Sequence, residues 1–260
     1  MKLPLYQVDA FASAVFKGNP AAVCPLEKWL DDELMQAIAL ENNLSETAFI
    51  VAKGDAYDLR WFTPAAEVDL CGHATLASAY VVFEHLDKQA QEVHFDTLSG
   101  RLSVTRGSDG MLAMNFPVQP GEPIEVSEEI ISGLGAEPSY LFGGEDFMAV
   151  FERESQIRAI EPDHAVLKKF ERRGVIITAP GDEVDFVSRF FAPSYGIPED
   201  PVTGSAHCML TPYWAERLGK TEMRARQISS RGGDLLCLLE GKRVRISGRV
   251  AEYMTGEISL

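Results

Sequence analysis

The stretch Arg60–Pro64 (Arg-Trp-Phe-Thr-Pro) recurs half a chain later as Arg189–Pro193 (Arg-Phe-Phe-Ala-Pro). Each copy leads through a polar loop into a helix start made of small residues, Gly72-His73-Ala74 in the first and Gly204-Ser205-Ala206 in the second. A spacing of half a chain is too long for a solenoid, whose repeats span roughly 20 to 50 residues. The sequence therefore predicts two similar lobes, each with a strand-loop-helix unit, whose helix N-termini share one cleft.

Strand and helix patterns alternate along the chain and restart in the middle, which predicts an α+β fold. Central helices are expected at residues 73–86 and 205–218, and Gly219 is expected to end the second one. A Pro- and Gly-rich link at 117–123 separates the halves. We therefore expect an N-terminal lobe at 1–117, on which the last few residues of the chain could also pack, and a C-terminal lobe at 118–260.

Composition excludes several classes of function. The 260-residue chain carries 24 Lys and Arg against 39 Asp and Glu, a formal net charge of −15, which disfavours nucleic acid and anionic membranes as partners. No apolar stretch is long enough for a membrane span or a secretory leader, so we expect a soluble cytoplasmic protein. Its four cysteines form no Cys-x-x-Cys pair, and neither a zinc site nor a disulfide framework is indicated.

The two helix starts are the first candidate for a ligand site. Unpaired N–H groups and the positive end of the helix dipole attract carboxylates and oxyanions. Gly72 and Gly204 let a ligand approach the backbone closely, Ala74 completes the first Gly-x-Ala start, and Ser205 can donate a hydrogen bond in the second. The alternative is that the glycines only permit tight loops, but their matched positions favour a ligand site.

Three ionisable residues are candidates for proton transfer. His73 lies at the first helix start and can shuttle a proton near neutral pH. Asp200 lies in the matching loop of the second copy, where it could act as an acid or a base, or only as a turn or cap residue. Glu46 follows Ser45 directly before an apolar strand, where burial would suit it to exchanging a proton with carbon. The alternative for Ser45 and Glu46, a turn followed by a solvated strand start, stays open from spacing alone.

Across almost its whole length the chain resembles the phenazine biosynthesis PhzF family. The resemblance is carried by the ordered motifs Asp9–Phe11, Gly18–Val23, Asn43–Phe49, Arg60–Pro64, Gly72–Ala74, Asn115–Pro117 and Glu199–Ala206. It implies the diaminopimelate epimerase-like fold, in which two similar lobes each wrap a mixed sheet around a central helix and the active site lies between them. It also implies an isomerase that needs neither metal nor organic cofactor, and commonly a homodimer.

The resemblance also implies roles for individual residues. Glu46 would be the general acid/base that moves a proton between carbons, with His73 and Asp200 positioning or protonating the substrate. Ser45, Gly72, Ala74, Gly204 and Ser205 would bind that substrate. Cys71 occupies the position before Gly72 where distant epimerase relatives carry a catalytic cysteine, yet no cysteine precedes Gly204. Racemisation by two cysteine bases therefore looks incomplete.

Three hypotheses follow. The leading one is an isomerase of a small carboxylate-bearing molecule with Glu46 as the proton carrier. The second is a racemase or epimerase that uses Cys71 together with another base. The third is a binding protein that has kept the site but lost turnover. The identity of the substrate does not follow from the fold.

Overall fold

The computed structural model of the protein describes residues 1–260. The elements of the first half are β1 (Lys2–Ala10), β2 (Asn19–Leu26), α1 (Asp32–Asn42), β3 (Glu46–Lys53), β4 (Ala56–Phe62), β5 (Glu67–Val68), α2 (Gly72–Val81), a π-helical turn (Val82–Leu86), β6 (Glu92–Thr97), β7 (Gly100–Arg106) and β8 (Leu112–Pro117).

The elements of the second half are β9 (Glu122–Ile124), α3 (Glu128–Leu134), β10 (Tyr140–Gly143), β11 (Phe147–Val150), α4 (Glu154–Ala159), α5 (His164–Leu167), β12 (Val175–Pro180), β13 (Phe186–Ala192), a 3-10 turn (Pro193–Tyr195), β14 (Ile197–Asp200), α6 (His207–Leu218), β15 (Glu222–Gln227), β16 (Gly233–Glu240), β17 (Arg243–Gly248) and β18 (Val250–Ser259). None of the helices is long and apolar enough to cross a membrane.

The chain divides into two compact units, residues 1–115 together with 247–260, and residues 116–246. The C-terminal segment joins the first unit because β18 pairs antiparallel with β1 along the whole of β1. The predicted boundary at 117/118 does not assign this C-terminal strand to a unit. The strand pattern of residues 250–259 predicts a strand but not the strand with which it pairs.

Both units repeat one order of strand pairing. In the first, β1 is antiparallel to β2, β2 parallel to β3, β3 antiparallel to β4, β4 parallel to β6, and β6 antiparallel to β7. In the second, β10 through β13 repeat the first three pairings, β13 is parallel to β15, and β15 is antiparallel to β16. The short strands β5 and β14 pair antiparallel with β4 and β13. The predicted duplication is confirmed.

The repeated arginines make the same interaction in each unit. Arg60 on β4 forms a two-pronged ion pair with Glu67 on β5, and its guanidinium lies 5.2 Å from the ring centre of Phe62. Arg189 on β13 pairs in the same way with Glu199 on β14 and lies 4.9 Å from the ring centre of Phe191. These bidentate pairs fix the short strand that leads toward each central helix.

The first sheet carries a helix on each face. Residues of β2 and β3 such as Cys24 and Phe49 pack with Met35 and Ile38 of α1. Because successive side chains of a strand alternate between faces, Glu46, three positions before Phe49, lies on the opposite face. Helix α2 contacts β1, β2 and β3 and is buried along most of its length, as a central helix must be.

Helix α2 is shorter than the predicted helix at 73–86. The α-helical pattern stops at Val81, and the chain continues in a wider π-helical turn in which the N–H of Asp87 donates to the carbonyl of Val82 at 2.7 Å. Val82 and Phe83 of this turn are buried.

The central helix of the second unit, α6, packs on the face formed in part by Phe186, whose ring stacks on Trp214 at 5.6 Å. Turns of the i→i+3 type lead into it from Gly204, and it ends at Gly219 in the left-handed conformation, as predicted. Pro212 lies inside the helix and cannot donate to the carbonyl of Cys208, which instead accepts the N–H of Gln119 at 3.1 Å.

Candidate active site

Glu46 and His73 form the centre of the candidate site in the first unit. Both side chains are buried, with relative exposures of 7% and 6%, and Oε2 of Glu46 lies 2.8 Å from Nε2 of His73. Neither atom completes an aligned hydrogen bond with any partner. Burial rules out a solvated strand start for Glu46. Two buried polar atoms facing each other at this distance are placed to share or exchange a proton.

Strand register brings these residues together. Glu46 is the first residue of β3, on the sheet face that α2 covers, and His73 is the second residue of α2. On the neighbouring strand β2, Asn19 belongs to the same face, and its Nδ2 lies 3.2 Å from Nδ1 of His73. The imidazole is therefore held between a carboxylate on one edge and a carboxamide on the other.

Cys71 completes the surroundings of the imidazole. Its Sγ lies 3.6 Å from Nδ1 of His73, and burial together with the charge of Glu46 raises the pKa of this thiol above its usual 9.0. Burial disfavours the imidazolium form of His73, but the neighbouring Cys71 and Glu46 outweigh it and raise the pKa of His73 well above 6.5. Because the thiol stays protonated at neutral pH, we attribute the stabilised positive charge mainly to Glu46.

Glu46, Cys71 and His73 also form a group of three potential metal ligands, whose donor atoms lie within 4.8 Å of one another. Sequence spacing gave no sign of this group, because Glu46 reaches it from another strand. The carboxylate and the thiol face opposite edges of the imidazole ring. One ion bound by all three would require the carboxylate or the thiol to move. That the protein holds no metal stays a prediction.

In the second unit, Asp200 lies at the end of β14 in a tightly bonded loop. Its carboxylate accepts a short hydrogen bond from the hydroxyl of Thr203, and its main-chain carbonyl accepts from Nε2 of Gln227 at 2.8 Å. The Oε1 atom of the same Gln227 accepts the N–H of Thr203 at 2.8 Å. All three residues are buried. Asp200 is thus more than an exposed turn residue, and its predicted catalytic role stays a prediction.

Ser205 is half-buried just before α6 and is bonded to Arg173, whose Nη1 donates to the serine Oγ at 3.0 Å. The same guanidinium forms a bidentate pair with the buried Asp146 and interacts favourably with the charge of Asp200. Since arginine only donates, the hydroxyl of Ser205 acts as acceptor toward Arg173, and its own hydrogen is available to another acceptor. The predicted role of Ser205 as a donor to the substrate stays a prediction.

Deeper in α6, His207 is fully buried and its Nδ1 donates to the carbonyl of Thr203 at 2.8 Å. Burial lowers the pKa of His207 to about 4, so this ring is neutral at physiological pH. Its Nε2 has no hydrogen-bond partner. His207 therefore serves as a neutral structural residue.

The remaining predicted binding residues surround the helix starts. Ser45 is half-buried in the bend before β3, while Gly72 and Ala74 are the first and third residues of α2. Neither Gly72 nor Gly204 adopts a positive φ, so backbone conformation alone does not demand glycine at either position. Substrate binding by these residues stays a prediction.

Sequence reasoning missed Asn19, Arg173 and Gln227. Asn19 belongs to a Gly-Asn-Pro stretch that predicts a turn. This pattern does not indicate that its side chain contacts His73. Arg173 follows another arginine before β12, and such basic pairs usually lie on the surface. Gln227 ends a strand with no motif around it. Only the folded contacts reveal these three residues.

Comparison with known proteins identifies the family. A family model described as phenazine biosynthesis-like protein (PhzC-PhzF) matches residues 8–256. An uncharacterized isomerase of Pseudomonas aeruginosa is 52% identical over 260 residues, covering 100% of both chains. The phenazine biosynthesis-like domain-containing protein of Homo sapiens is 41% identical over 289 residues, again with 100% of both chains covered.

Solved structures agree. A crystal structure of a phenazine biosynthesis protein of the PhzF family from Enterococcus faecalis has 48% identity and a TM-score of 0.97, with 100% of both chains covered. A hydroxyproline epimerase from Agrobacterium vitis, at 12% identity and a TM-score of 0.66 over 100% of this chain and 93% of that one, shares the fold. The chain therefore belongs to the phenazine biosynthesis-like PhzC-PhzF family, and it is an isomerase with the diaminopimelate epimerase-like fold.

Proposed function

We propose that this isomerase moves a proton between carbons of a small carboxylate-bearing substrate without an organic cofactor or a metal, and that Glu46 carries the proton. The observation that supports this most directly is the buried contact between Glu46 and His73, whose Oε2 and Nε2 atoms lie 2.8 Å apart without completing an aligned hydrogen bond. A general acid/base must be removed from bulk water and free to reach its substrate, and hydrogen bonds in unliganded sites are often poorly aligned.

His73 has a supporting part in this proposal. As an imidazolium it pairs with the carboxylate of Glu46, and as a proton donor it can return a proton to the substrate. The positive charge of the imidazolium and the N-terminus of α2 both favour a negatively charged group nearby, which supports a carboxylate-bearing substrate. Gly72 and Ala74 would offer backbone N–H groups to that carboxylate.

A racemase or epimerase that uses Cys71 is the second candidate, and the contact of the thiol with His73 at 3.6 Å favours it. Two observations weigh against it. Burial raises the pKa of Cys71, so little reactive thiolate forms near neutral pH. The position before Gly204 is held by Thr203, whose hydroxyl is engaged with Asp200. We therefore place Glu46 first.

The test is a screen of cyclic and α-amino carboxylates with the purified protein in deuterium oxide. Mass spectrometry should show solvent deuterium entering the carbon skeleton of a substrate, and chiral chromatography of the products separates isomerisation from racemisation. Binding without deuterium entry would favour the inactive binding protein instead. A homodimer, expected from the sequence, stays a prediction that light scattering can check.

A further inference from the structure

Asn19 is built into the site as rigidly as Glu46 and His73, although the proposed chemistry does not use it. Its side chain is fully buried, and the residues on either side restrict its backbone. Gly18 has a φ of +64°, and a Cβ there would lie 2.1 Å from the carbonyl oxygen of Ala10, so only glycine fits. Pro20 keeps Asn19 itself extended. The Gly-Asn-Pro stretch therefore aims one carboxamide at one imidazole.

The contact determines where a neutral His73 carries its proton. Nδ2 of Asn19 lies 3.2 Å from Nδ1 of His73, and in a neutral ring this arrangement makes Nδ1 the acceptor, without hydrogen. A neutral imidazole then has its single proton on Nε2, the nitrogen that faces Glu46 at 2.8 Å. In this arrangement the exchangeable proton lies on the side of the ring where the proposed base stands.

A protonated His73 has the opposite need. Both ring nitrogens then donate, and Nδ1 requires an acceptor. The carboxamide of Asn19 supplies one after half a turn about its terminal bond, because its oxygen then replaces its nitrogen. The titratable groups that face the ring are Glu46 from β3 and Cys71 from the segment before α2, and the thiol at 3.6 Å is only a weak partner.

We propose that Asn19 is a positioning residue that holds neutral His73 with its proton facing Glu46 and, by turning its amide, keeps the ring hydrogen-bonded when His73 is charged. This inference rests on the proposed proton transfer between Glu46 and the substrate. An ionised aspartate could accept but not donate a hydrogen bond, and a leucine could do neither. The carboxamide can donate to Nδ1 of the neutral ring and accept from Nδ1 of the charged ring.

The test follows the ring of His73 itself and needs no substrate. Long-range proton–nitrogen NMR of protein labelled with ¹⁵N-histidine reports the protonation of each ring nitrogen across a pH titration, and His73→Gln identifies the signals. In the parent protein, both nitrogens should be protonated at low pH and only Nε2 above the pKa. Finding the neutral ring protonated on Nδ1 would overturn the proposal.

For each substitution of Asn19 we predict the direction in which the pKa of His73 shifts. Asn19→Asp should raise the pKa of His73 by about one pH unit or more, since it adds a negative acceptor at Nδ1. Asn19→Leu should lower the pKa by a similar amount, since it leaves the imidazolium without an acceptor there. Asn19→Ser, which can donate or accept, should stay near the parent value. Asn115→Asp, at an exposed position of β8, is the matched control and should cause no change.

The comparison of Asn19→Leu with Asn19→Ser distinguishes this role from a structural one, because general loosening of the site would move the pKa of His73 in the same direction in both variants. Shifts of the same sign, or none, would overturn the proposal. Should Asn19→Asp fail to fold, the comparison of parent, leucine and serine proteins still decides it. Absence of turnover in the deuterium screen, with these shifts observed, would refute the proposed function and leave the role of Asn19 in place.

Discussion

Oε2 of Glu46 faces Nε2 of His73 across 2.8 Å in the interior of the first unit, where neither atom completes an aligned hydrogen bond. Glu46→Gln keeps the shape of this contact but removes the ability to accept a proton. We expect the rate of isomerisation to fall roughly 10²- to 10⁴-fold while substrate binding is largely kept. Steady-state kinetics on the substrate found in the deuterium screen measures this, with thermal unfolding as the folding control. Turnover at the parent rate would make Glu46 structural.

Acid stability should depend on His207. Its pKa is 6.5 in the unfolded chain and about 4 in the fold, so below pH 6.5 the unfolded chain binds a proton that the folded one does not. Stability therefore falls as the pH drops from 6.5 to about 4, by about 3 kcal/mol from this residue, and then levels off.

His207→Gln can still donate to the carbonyl of Thr203 but does not titrate, so its unfolding free energy should depend less on pH in this window. Urea denaturation of parent and variant between pH 4 and pH 7 measures the difference. Identical pH profiles would show that His207 is not the group responsible.

The four cysteines should react slowly with thiol reagents in the folded protein. All are buried, burial raises the pKa of Cys24, Cys208 and Cys237 to about 12, and the pKa of Cys71 is also raised. Since the thiolate is the reactive form, Ellman's reagent should label the native protein far more slowly than protein in guanidinium chloride.

Substitution of Cys71 distinguishes the Glu46-dependent isomerase from the cysteine-dependent racemase. Cys71→Ser should retain most activity if Glu46 is the base, with Cys208→Ser as a control at a buried thiol in the other unit. A loss from Cys71→Ser as large as that expected from Glu46→Gln would favour the cysteine-dependent racemase.

Arg173 should act on substrate binding through Ser205. We expect Ser205→Ala to raise KM about tenfold, the loss of about one hydrogen bond, with a smaller effect on kcat. Arg173→Lys cannot bridge Asp146 and Ser205 with one fixed fork, so it should raise KM as well. The double variant should be little worse than either single one, because both remove the same interaction. Arg226→Lys, at an exposed pair with Asp234, is the control. Fully additive effects on KM would show that Arg173 acts independently of Ser205.

Much of the fold can be predicted from the sequence because it is repeated. The matching stretches at Arg60 and Arg189 impose the same strand, ion pair and helix approach twice, and each copy supports the interpretation of the other. The pairing of β18 with β1 along its full length could not be predicted, since the pairing partner of a strand depends on the whole sheet.

Some residues of the candidate site can also be predicted from the sequence, and others cannot. Glu46 and His73 stand out in the sequence because a carboxylate before a buried strand and a histidine at a helix start need an explanation. Asn19 and Arg173 do not stand out, because their importance lies in what their side chains touch. Asn19 reaches His73 across 54 positions of chain and Arg173 reaches Ser205 across 32, and local sequence patterns carry no information about such contacts.

Pro212 bears on protein engineering. Replacing a proline inside a helix is a standard way to raise thermostability, because it restores a main-chain hydrogen bond. Here the restored N–H would compete for the carbonyl of Cys208 with Gln119, which belongs to the segment connecting the two halves of the sequence. A Pro212→Ala variant would add a hydrogen bond within α6 but weaken the hydrogen bond that holds the connecting segment. Both hydrogen bonds need the same carbonyl oxygen of Cys208, so the gain in helix stability is offset by the loss at the segment.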